Sequence, residues 1–184
     1  MIFYPHQKKM TWESERCFAD LMLSHGYSLI YQPRIYIPGM KRNFSDNAFL
    51  APDFFCFETN CYYEVINTPS GFEWRKPDIL AAILMGFRIK ILTPSGTPYI
   101  FRCYQRDLHS IIDRLGSKYF SLFLNKTEKE KPTLIQDMIA QAIGVPMDLL
   151  WSPLEKPKIG LTKEERRIKR INESTIARWL HSVT

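Results

Sequence analysis

Two short apolar runs joined by a tight turn place the strongest constraint on how this chain can fold. The runs cover residues 53–58 and 61–67, and Thr59-Asn60 lies between them. β-Branched and aromatic residues bounded by turn residues are typical of paired strands, so this stretch predicts an antiparallel hairpin. Each run carries one acidic residue, Asp53 or Glu64, and the pairing of the two strands allows these side chains to converge.

The segments around the hairpin extend it into an α/β pattern. Before it, Phe18, Leu21 and Met22 repeat at helical spacing, and a strand is predicted over residues 27–37. After it, a helix is predicted over residues 74–85 and a strand over residues 87–92. A strand, a helix and a second strand imply a parallel crossover, so we expect an αβββαβ core with a mixed central sheet flanked by helices. Further predicted elements are a strand at 99–104 and helices at 107–115 and 118–124.

The composition changes after about residue 125. Residues 126–132 are charged and linker-like, residues 134–143 predict an amphipathic helix, and a basic helix is predicted from Thr162 onward. We therefore expect an α/β domain over residues 1–125 and a small helical tail over residues 126–184. Residues 158–170 hold six basic and two acidic residues, a balance that suits phosphate contacts or an ordinary solvent-exposed helix. The candidates for nucleic-acid contact in this tail are Arg166, Arg167, Lys169 and Arg170.

The overall composition narrows the class of protein and of partner. The chain has 184 residues, of which 45% are hydrophobic, so it can bury a substantial core. No apolar run approaches the ~20 residues of a membrane span, and no membrane association is expected. A formal net charge of +6 suits a polyanionic partner such as DNA. The four cysteines have no paired spacing, which favours reduced core thiols and a cytoplasmic location.

Asp53 and Glu64 have the side chains that a hard divalent cation prefers. Mg²⁺ binds through one or two carboxylates, keeps several waters and completes its shell with substrate phosphate. Such a metal activates a water nucleophile and neutralises charge on a phosphodiester. The two residues thus predict a metal site on the hairpin, with Arg75 beside it as a candidate phosphate contact.

Five short motifs, in the right order over roughly residues 11–105, resemble the PD-(D/E)xK nuclease superfamily. The resemblance is closest to the restriction-endonuclease-like group that includes Holliday-junction resolvases and the DNA-cutting subunit of some transposition systems. It implies a Mg²⁺- or Mn²⁺-dependent DNA endonuclease acting in DNA recombination or transposition, with Glu15, Asp53 and Glu64 as the acidic set. The motifs are Glu15-x-x-Phe18-Ala19, Tyr31-Gln32-Pro33, Pro52-Asp53-Phe54, Tyr62-Tyr63-Glu64-Val65 and Gly86-Phe87-Arg88-Ile89-Lys90-Ile91-Leu92.

The chain departs from the pattern of this superfamily at Ile66. Members usually have a lysine there, on the same strand face as the acidic residue two positions earlier, and an alkyl side chain donates no hydrogen bond. Two lysines are candidates for the missing amine. Lys76 follows Arg75 at the start of the next predicted helix, and Lys90 shares a strand face with Arg88. We favour Lys90 of the two, while both remain open.

Three functional interpretations are compatible with these residues. The chain is an active endonuclease, a degenerate nuclease fold that binds DNA or protein, or an endonuclease that cuts only when a protein partner or a second copy positions the DNA. Retained acids in apolar strands favour the first and third, whereas Ile66 favours the second. Glu15 is also compatible with a simple charge in the first turn of a helix. We expect a nuclease that works within a protein–DNA complex.

Overall fold

The structure is a computed structural model that describes residues 1–5, 9–36, 49–115 and 130–153. Within these ranges it has seven strands and five helices. The strands are β1 (Ile2–Phe3), β2 (Leu29–Tyr31), β3 (Ile35–Tyr36), β4 (Phe49–Leu50), β5 (Phe54–Cys56), β6 (Cys61–Val65) and β7 (Ile89–Leu92). The helices are α1 (Glu13–Ser24), α2 (Pro69–Leu84), α3 (Gln105–Leu115), α4 (Glu130–Ile143) and α5 (Met147–Leu150).

Five of the strands form one mixed sheet in the order β1-β2-β5-β6-β7. The β5–β6 hairpin is antiparallel, with Phe54 opposite Tyr63 and Cys56 opposite Cys61, which confirms the predicted hairpin. Its turn places Asn60 at φ 47°, a left-handed conformation that asparagine tolerates better than most residues. Strands β6 and β7 are parallel and joined through α2, which confirms the predicted crossover. The short strands β3 and β4 form a separate two-stranded sheet.

The two faces of the sheet bury different helices. Phe18 and Ala19 of α1 belong to a core cluster with Tyr63 and Val65 of β6. Side chains alternate along a strand, so Glu64 points to the opposite face, where α2 lies. On that face Ile66 packs in a second cluster with Phe72, Ile79 and Leu80 of α2 and with residues of α3 and α4. The chain is thus an α/β protein with a mixed sheet flanked by helices.

The predicted strand at residues 99–104 is wrong. In this segment the structure has only isolated bridges, between Leu92 and Pro98 and between Cys103 and Trp151. The Cys103 N–H donates to the Leu150 carbonyl, and the Cys103 carbonyl accepts from the Ser152 N–H. The polar groups of this backbone are therefore partly satisfied by the α5 region rather than by a sheet ladder.

The single strand predicted over residues 27–37 is divided into β2 and β3. Gln32 lies between them at φ 49°, in the left-handed region, and Pro33 follows it. A residue with positive φ and a proline that lacks an N–H both interrupt a ladder. The interruption leaves the end of β2 next to Asp53, because the Gln32 N–H donates to the Asp53 carbonyl.

The described part of the predicted tail packs into the same core as the sheet. Ile135 and Ile139 of α4, with Leu150 and Trp151 after it, are buried in the cluster that contains α2 and α3. Helix α4 begins at Glu130, so part of the predicted linker is helical. The predicted domain boundary and the helix at 118–124 lie outside the described residues, as do the basic candidates Arg166, Arg167, Lys169 and Arg170. In the part of the chain that the structure describes, no helix is long and apolar enough to cross a membrane.

Candidate functional site

Three buried carboxylates, of Asp53, Glu64 and Glu15, lie close enough to influence one another electrostatically. Asp53 immediately precedes β5, Glu64 lies near the end of β6, and Glu15 is in the first turn of α1. Their residues are 5%, 2% and 6% exposed, respectively. The charge of Glu15 raises the pKa of both Asp53 and Glu64, so the three form one electrostatic unit. The structure thus brings together the acidic set that the sequence predicted.

Asp53 is held from two sides. Its Oδ2 accepts a hydrogen bond of 2.7 Å from the Val65 N–H, across the hairpin. Its Oδ1 lies 3.7 Å from Nη1 of Arg75. Burial raises the pKa of Asp53 to about 6, although the Arg75 charge and the Val65 N–H act in the opposite direction. Asp53 is therefore a fixed carboxylate whose charge the site only partly compensates.

Glu64 is held on one side only. Its Oε1 lies 2.6 Å from Nη1 of Arg75. Its Oε2 is buried and has no hydrogen-bond partner among the described residues. Burial and, next, the charge of Asp53 raise the pKa of Glu64 well above its ordinary value. A buried carboxylate oxygen without a partner is energetically unfavourable, so this oxygen is a candidate ligand atom for a cation.

Arg75 lies between the two carboxylates. The same nitrogen, Nη1, contacts Asp53 and Glu64, and Nη2 donates to the Ala51 carbonyl. Nη1 of Arg75 lies 3.7 Å from Asp53 Oδ1 and 2.6 Å from Glu64 Oε1. The separation of the two carboxylate oxygens therefore cannot exceed the sum of these distances. The side chain of Arg75 remains 35% exposed. A residue predicted to bind phosphate is thus the counter-ion of the acidic pair.

Glu15 has a separate partner, which the sequence analysis did not identify. The Tyr31 hydroxyl donates a hydrogen bond of 2.7 Å to Glu15 Oε2, and both residues are buried. Burial, and then the bond to Glu15, raise the pKa of Tyr31 above its ordinary value. The motif Tyr31-Gln32-Pro33 was the available signal, because a tyrosine at the end of a strand can reach a carboxylate on the helix above it.

Lys76 is directed away from the acidic pair. Its residue is 0% exposed, and its amine bonds the Arg102 carbonyl at 2.8 Å, Asp107 at 2.8 Å and Glu73 at 3.1 Å. The amine also lies 5.4 Å from the ring centre of Tyr104. These contacts place Lys76 in a buried ionic cluster between α2 and α3, and none of them is with Asp53 or Glu64.

Lys90 lies on the other face of the sheet from Glu64. The parallel register pairs Lys90 with Tyr63 and pairs Ile91 with Glu64. Residues paired in this way share a face, so the Lys90 side chain is on the Tyr63 side, where it is exposed. The structure therefore brings neither candidate lysine to the acids. Ile66 itself is 6% exposed and belongs to the apolar core.

The donor set fits a divalent cation in its chemistry, although Arg75 lies in the position of that cation. Asp53 and Glu64 offer carboxylate oxygens, and Glu64 Oε2 is free to take a ligand. Two oxygens that share Mg²⁺ at ~2.1 Å each lie at most ~4.2 Å apart, so a cation held by this pair would lie close to the positive charge of Arg75. In the described ranges, no group of three or more His, Cys, Asp or Glu residues is already arranged to hold a metal ion.

In comparisons with known proteins, no family model, no curated protein and no solved structure matches the chain.

Proposed function

We propose that this protein is a Mg²⁺-dependent DNA endonuclease of the PD-(D/E)xK type, in which Asp53 and Glu64 hold the metal. Mn²⁺ is expected to substitute for Mg²⁺. The observation that carries the proposal is the buried Glu64 Oε2, which has no partner among the described residues and lies in the carboxylate pair beside Asp53. The motif order and the α1, β2, β5, β6, α2, β7 arrangement support a restriction-endonuclease-like core.

The charge balance of the site supports a further cation. Among the described residues, the buried carboxylates of Asp53 and Glu64 share one guanidinium, that of Arg75. Buried charges are costly unless they are paired, and the raised pKa values of Asp53 and Glu64 reflect this deficit. A divalent cation would supply the missing positive charge. Buried ion pairs often contribute no more stability than well-packed apolar residues would, so structure alone is a weak reason for these acids.

Each residue of the site has a distinct role in the proposed reaction. A bound Mg²⁺ supplies an activated water and neutralises charge on the phosphodiester. Asp53 is oriented for metal binding by the Val65 N–H, and Glu64 extends from the neighbouring strand. Glu15, fixed by the Tyr31 hydroxyl, adds negative charge beside the pair. Arg75, which pairs with both acids in the free protein, would contact a phosphate of the DNA.

The partners follow from the same proposal. The DNA backbone is held by Arg75 and by the basic residues of the C-terminal segment, including Arg166, Arg167, Lys169 and Arg170. A protein partner or a second copy of the chain positions the DNA, as in recombination or transposition complexes. The protein acts in the cytoplasm.

A nicking assay tests the proposal directly. Supercoiled, branched and linear DNA are incubated with wild type, Asp53→Ala or Glu64→Ala in Mg²⁺, Mn²⁺ or EDTA. We expect cleavage by the wild type only with metal, and a loss of at least ~100-fold in either variant. Asp20→Asn, an exposed acid on α1, is the matched control and retains activity. Absence of wild-type cleavage on every substrate, or equal cleavage by the variants, would reject the endonuclease.

A second candidate is a degenerate nuclease fold that binds DNA or protein without cutting. It is favoured by two specific observations: Arg75 already pairs the carboxylates, and Ile66 is a core residue in place of a lysine. This candidate predicts DNA binding that is insensitive to EDTA and unchanged in Glu64→Ala. The endonuclease predicts that Mn²⁺ strengthens DNA binding in the wild type and not in Glu64→Ala.

A further inference from the structure

The position of Arg75 raises the question of how a metal reaches the acidic pair. Its Nη1 contacts Glu64 Oε1 and Asp53 Oδ1, and its Nη2 is bonded to the Ala51 carbonyl. A cation that bridges Glu64 Oε2 and Asp53 would therefore lie close to the guanidinium. Arg75 contacts Glu64 through Oε1, whereas Oε2 has no hydrogen-bond partner among the described residues.

Arg75 and a divalent cation cannot occupy the pair together at low energy. Two positive charges a few ångströms apart in a buried site repel each other strongly, because the surroundings screen them less than water does. The two cations also compete for the negative charge of the same two carboxylates. One of them must leave for the other to bind.

Arg75 is able to leave, in contrast to its neighbour. Its side chain is 35% exposed, whereas the side chain of Lys76 is 0% exposed. A guanidinium binds phosphate in a two-point geometry that matches carboxylate binding, so a DNA phosphate offers an equivalent partner. The exchange replaces one charged contact by another and leaves the carboxylates open.

We propose that Arg75 couples DNA binding to metal binding: it blocks the Asp53–Glu64 pair in the free protein and transfers to a phosphate when DNA binds. This inference rests on the proposed metal site and concerns its regulation. Thermodynamic linkage then requires that DNA raise the affinity for metal and that metal raise the affinity for DNA by the same factor. The free protein would bind metal weakly, which would restrict cleavage to protein already bound to DNA.

The test is a titration with Mn²⁺ followed by the electron paramagnetic resonance signal of the free ion. Wild type, Arg75→Gln and Arg75→Lys are compared with and without a nuclease-resistant phosphorothioate duplex, after subtraction of Mn²⁺ bound by the duplex alone. Without DNA, we expect Arg75→Gln to bind Mn²⁺ about 10-fold more tightly than wild type. DNA is expected to raise the wild-type affinity about 10-fold and that of Arg75→Gln less than 2-fold. Arg106→Gln, an exposed arginine on α3, should behave as wild type.

The outcomes separate this inference from the proposed function. If Arg75→Gln binds Mn²⁺ no more tightly than wild type, or DNA raises both affinities equally, the coupling role of Arg75 is rejected while the metal site stands. If no protein binds Mn²⁺ in any condition, the metal site and the coupling are both rejected. If Arg75→Gln fails to fold, Arg75→Lys provides the test. The coupling requires that DNA raise the Mn²⁺ affinity of Arg75→Lys by a smaller factor than that of wild type.

Discussion

At the scale of single residues, Asp53 and Glu64 are two carboxylates in one buried place with different supports. Asp53 is fixed by a main-chain N–H, that of Val65, and so keeps its orientation whatever Arg75 does. Glu64 has one oxygen, Oε1, 2.6 Å from Arg75 and another, Oε2, with no hydrogen-bond partner among the described residues. Both have raised pKa values, chiefly through burial. Protons and metal ions therefore compete for the pair.

This competition predicts a pH dependence of metal binding. Asp53 has a pKa of about 6, so it loses its proton as the pH rises through this value, and the pKa of Glu64 is raised as well. We expect the Mn²⁺ affinity of wild type to increase at least ~10-fold between pH 5 and pH 7, as the ionised fraction of a group of this pKa does. Calorimetric titration at several pH values measures it. An affinity that is constant over this range would contradict the assignment of these two ligands.

The same pKa predicts the pH dependence of stability in the metal-free protein. The folded state raises the pKa of Asp53 from 3.8 to about 6, so it binds the proton more tightly than the unfolded chain. Asp53 therefore contributes stability at low pH that is lost as the pH rises from 3.8 through about 6. We expect the free energy of unfolding, measured in urea with EDTA, to fall less for Asp53→Asn than for wild type as the pH rises from 3.8 to about 6. Parallel curves for the two proteins would exclude this contribution.

At the scale of elements, two consecutive residues of α2 contact different parts of the molecule: Arg75 contacts the hairpin and Lys76 contacts α3. Successive residues of an α-helix are about 100° apart around its axis, so Arg75 points to the hairpin and Lys76 to α3. The amine of Lys76 is bonded to Asp107, whose Oδ2 also accepts the Tyr104 N–H at the start of α3. The Lys76 cluster thus fixes α2 against α3 and, with it, the position of Arg75.

Removal of the Lys76 amine should therefore affect stability strongly. Lys76→Met leaves Asp107 as a buried charge without its partner, and we expect a loss of ~3–5 kcal/mol in the free energy of unfolding. Lys90→Met is the matched control, because Lys90 is exposed and its loss should change stability by less than ~0.5 kcal/mol. Chemical denaturation of both variants decides the matter. A stability of Lys76→Met equal to that of Lys90→Met would contradict the structural role of Lys76.

The local elements show what the sequence alone can and cannot specify. The β5–β6 hairpin was predictable because the turn and both strands lie within fifteen residues of chain. The convergence of Asp53 with Glu64 followed from this hairpin. The orientation of Lys76 was not predictable, because it depends on Asp107 and on the Arg102 carbonyl, which are distant in the sequence. The segment 99–104 was misassigned for a similar reason, since its partner is the region after α5.

At the scale of the whole molecule, one core joins the sheet to helices that follow it by many residues. Ile135, Ile139, Leu150 and Trp151 are between 0% and 7% exposed and pack in the cluster of α2 and α3. The Trp151 indole N–H donates to the Gln136 carbonyl, which links the end of α5 to α4. The change of composition near residue 125 does not reveal this packing. The predicted tail therefore includes residues that belong to the core.

Truncation distinguishes the two parts of the predicted tail. A chain ending at residue 125 lacks these four buried side chains. Truncation of one large buried side chain typically costs ~2–5 kcal/mol in the free energy of unfolding, so this chain should not fold cooperatively. A chain ending at residue 153 keeps every contact of the described core and should unfold in a single transition. Thermal unfolding followed by circular dichroism measures both. A cooperative transition in the 1–125 chain would contradict the shared core.

Anomalous diffraction from crystals grown with Mn²⁺ tests most directly whether Asp53 and Glu64 hold a divalent metal. We expect a Mn²⁺ peak that contacts a carboxylate oxygen of each residue, with the Arg75 guanidinium displaced from its contacts with them. Crystals of Glu64→Ala should lack this peak under the same conditions. A wild-type map without Mn²⁺ at the pair, with Arg75 still bonded to Glu64 in saturating Mn²⁺ and DNA, would contradict the claim.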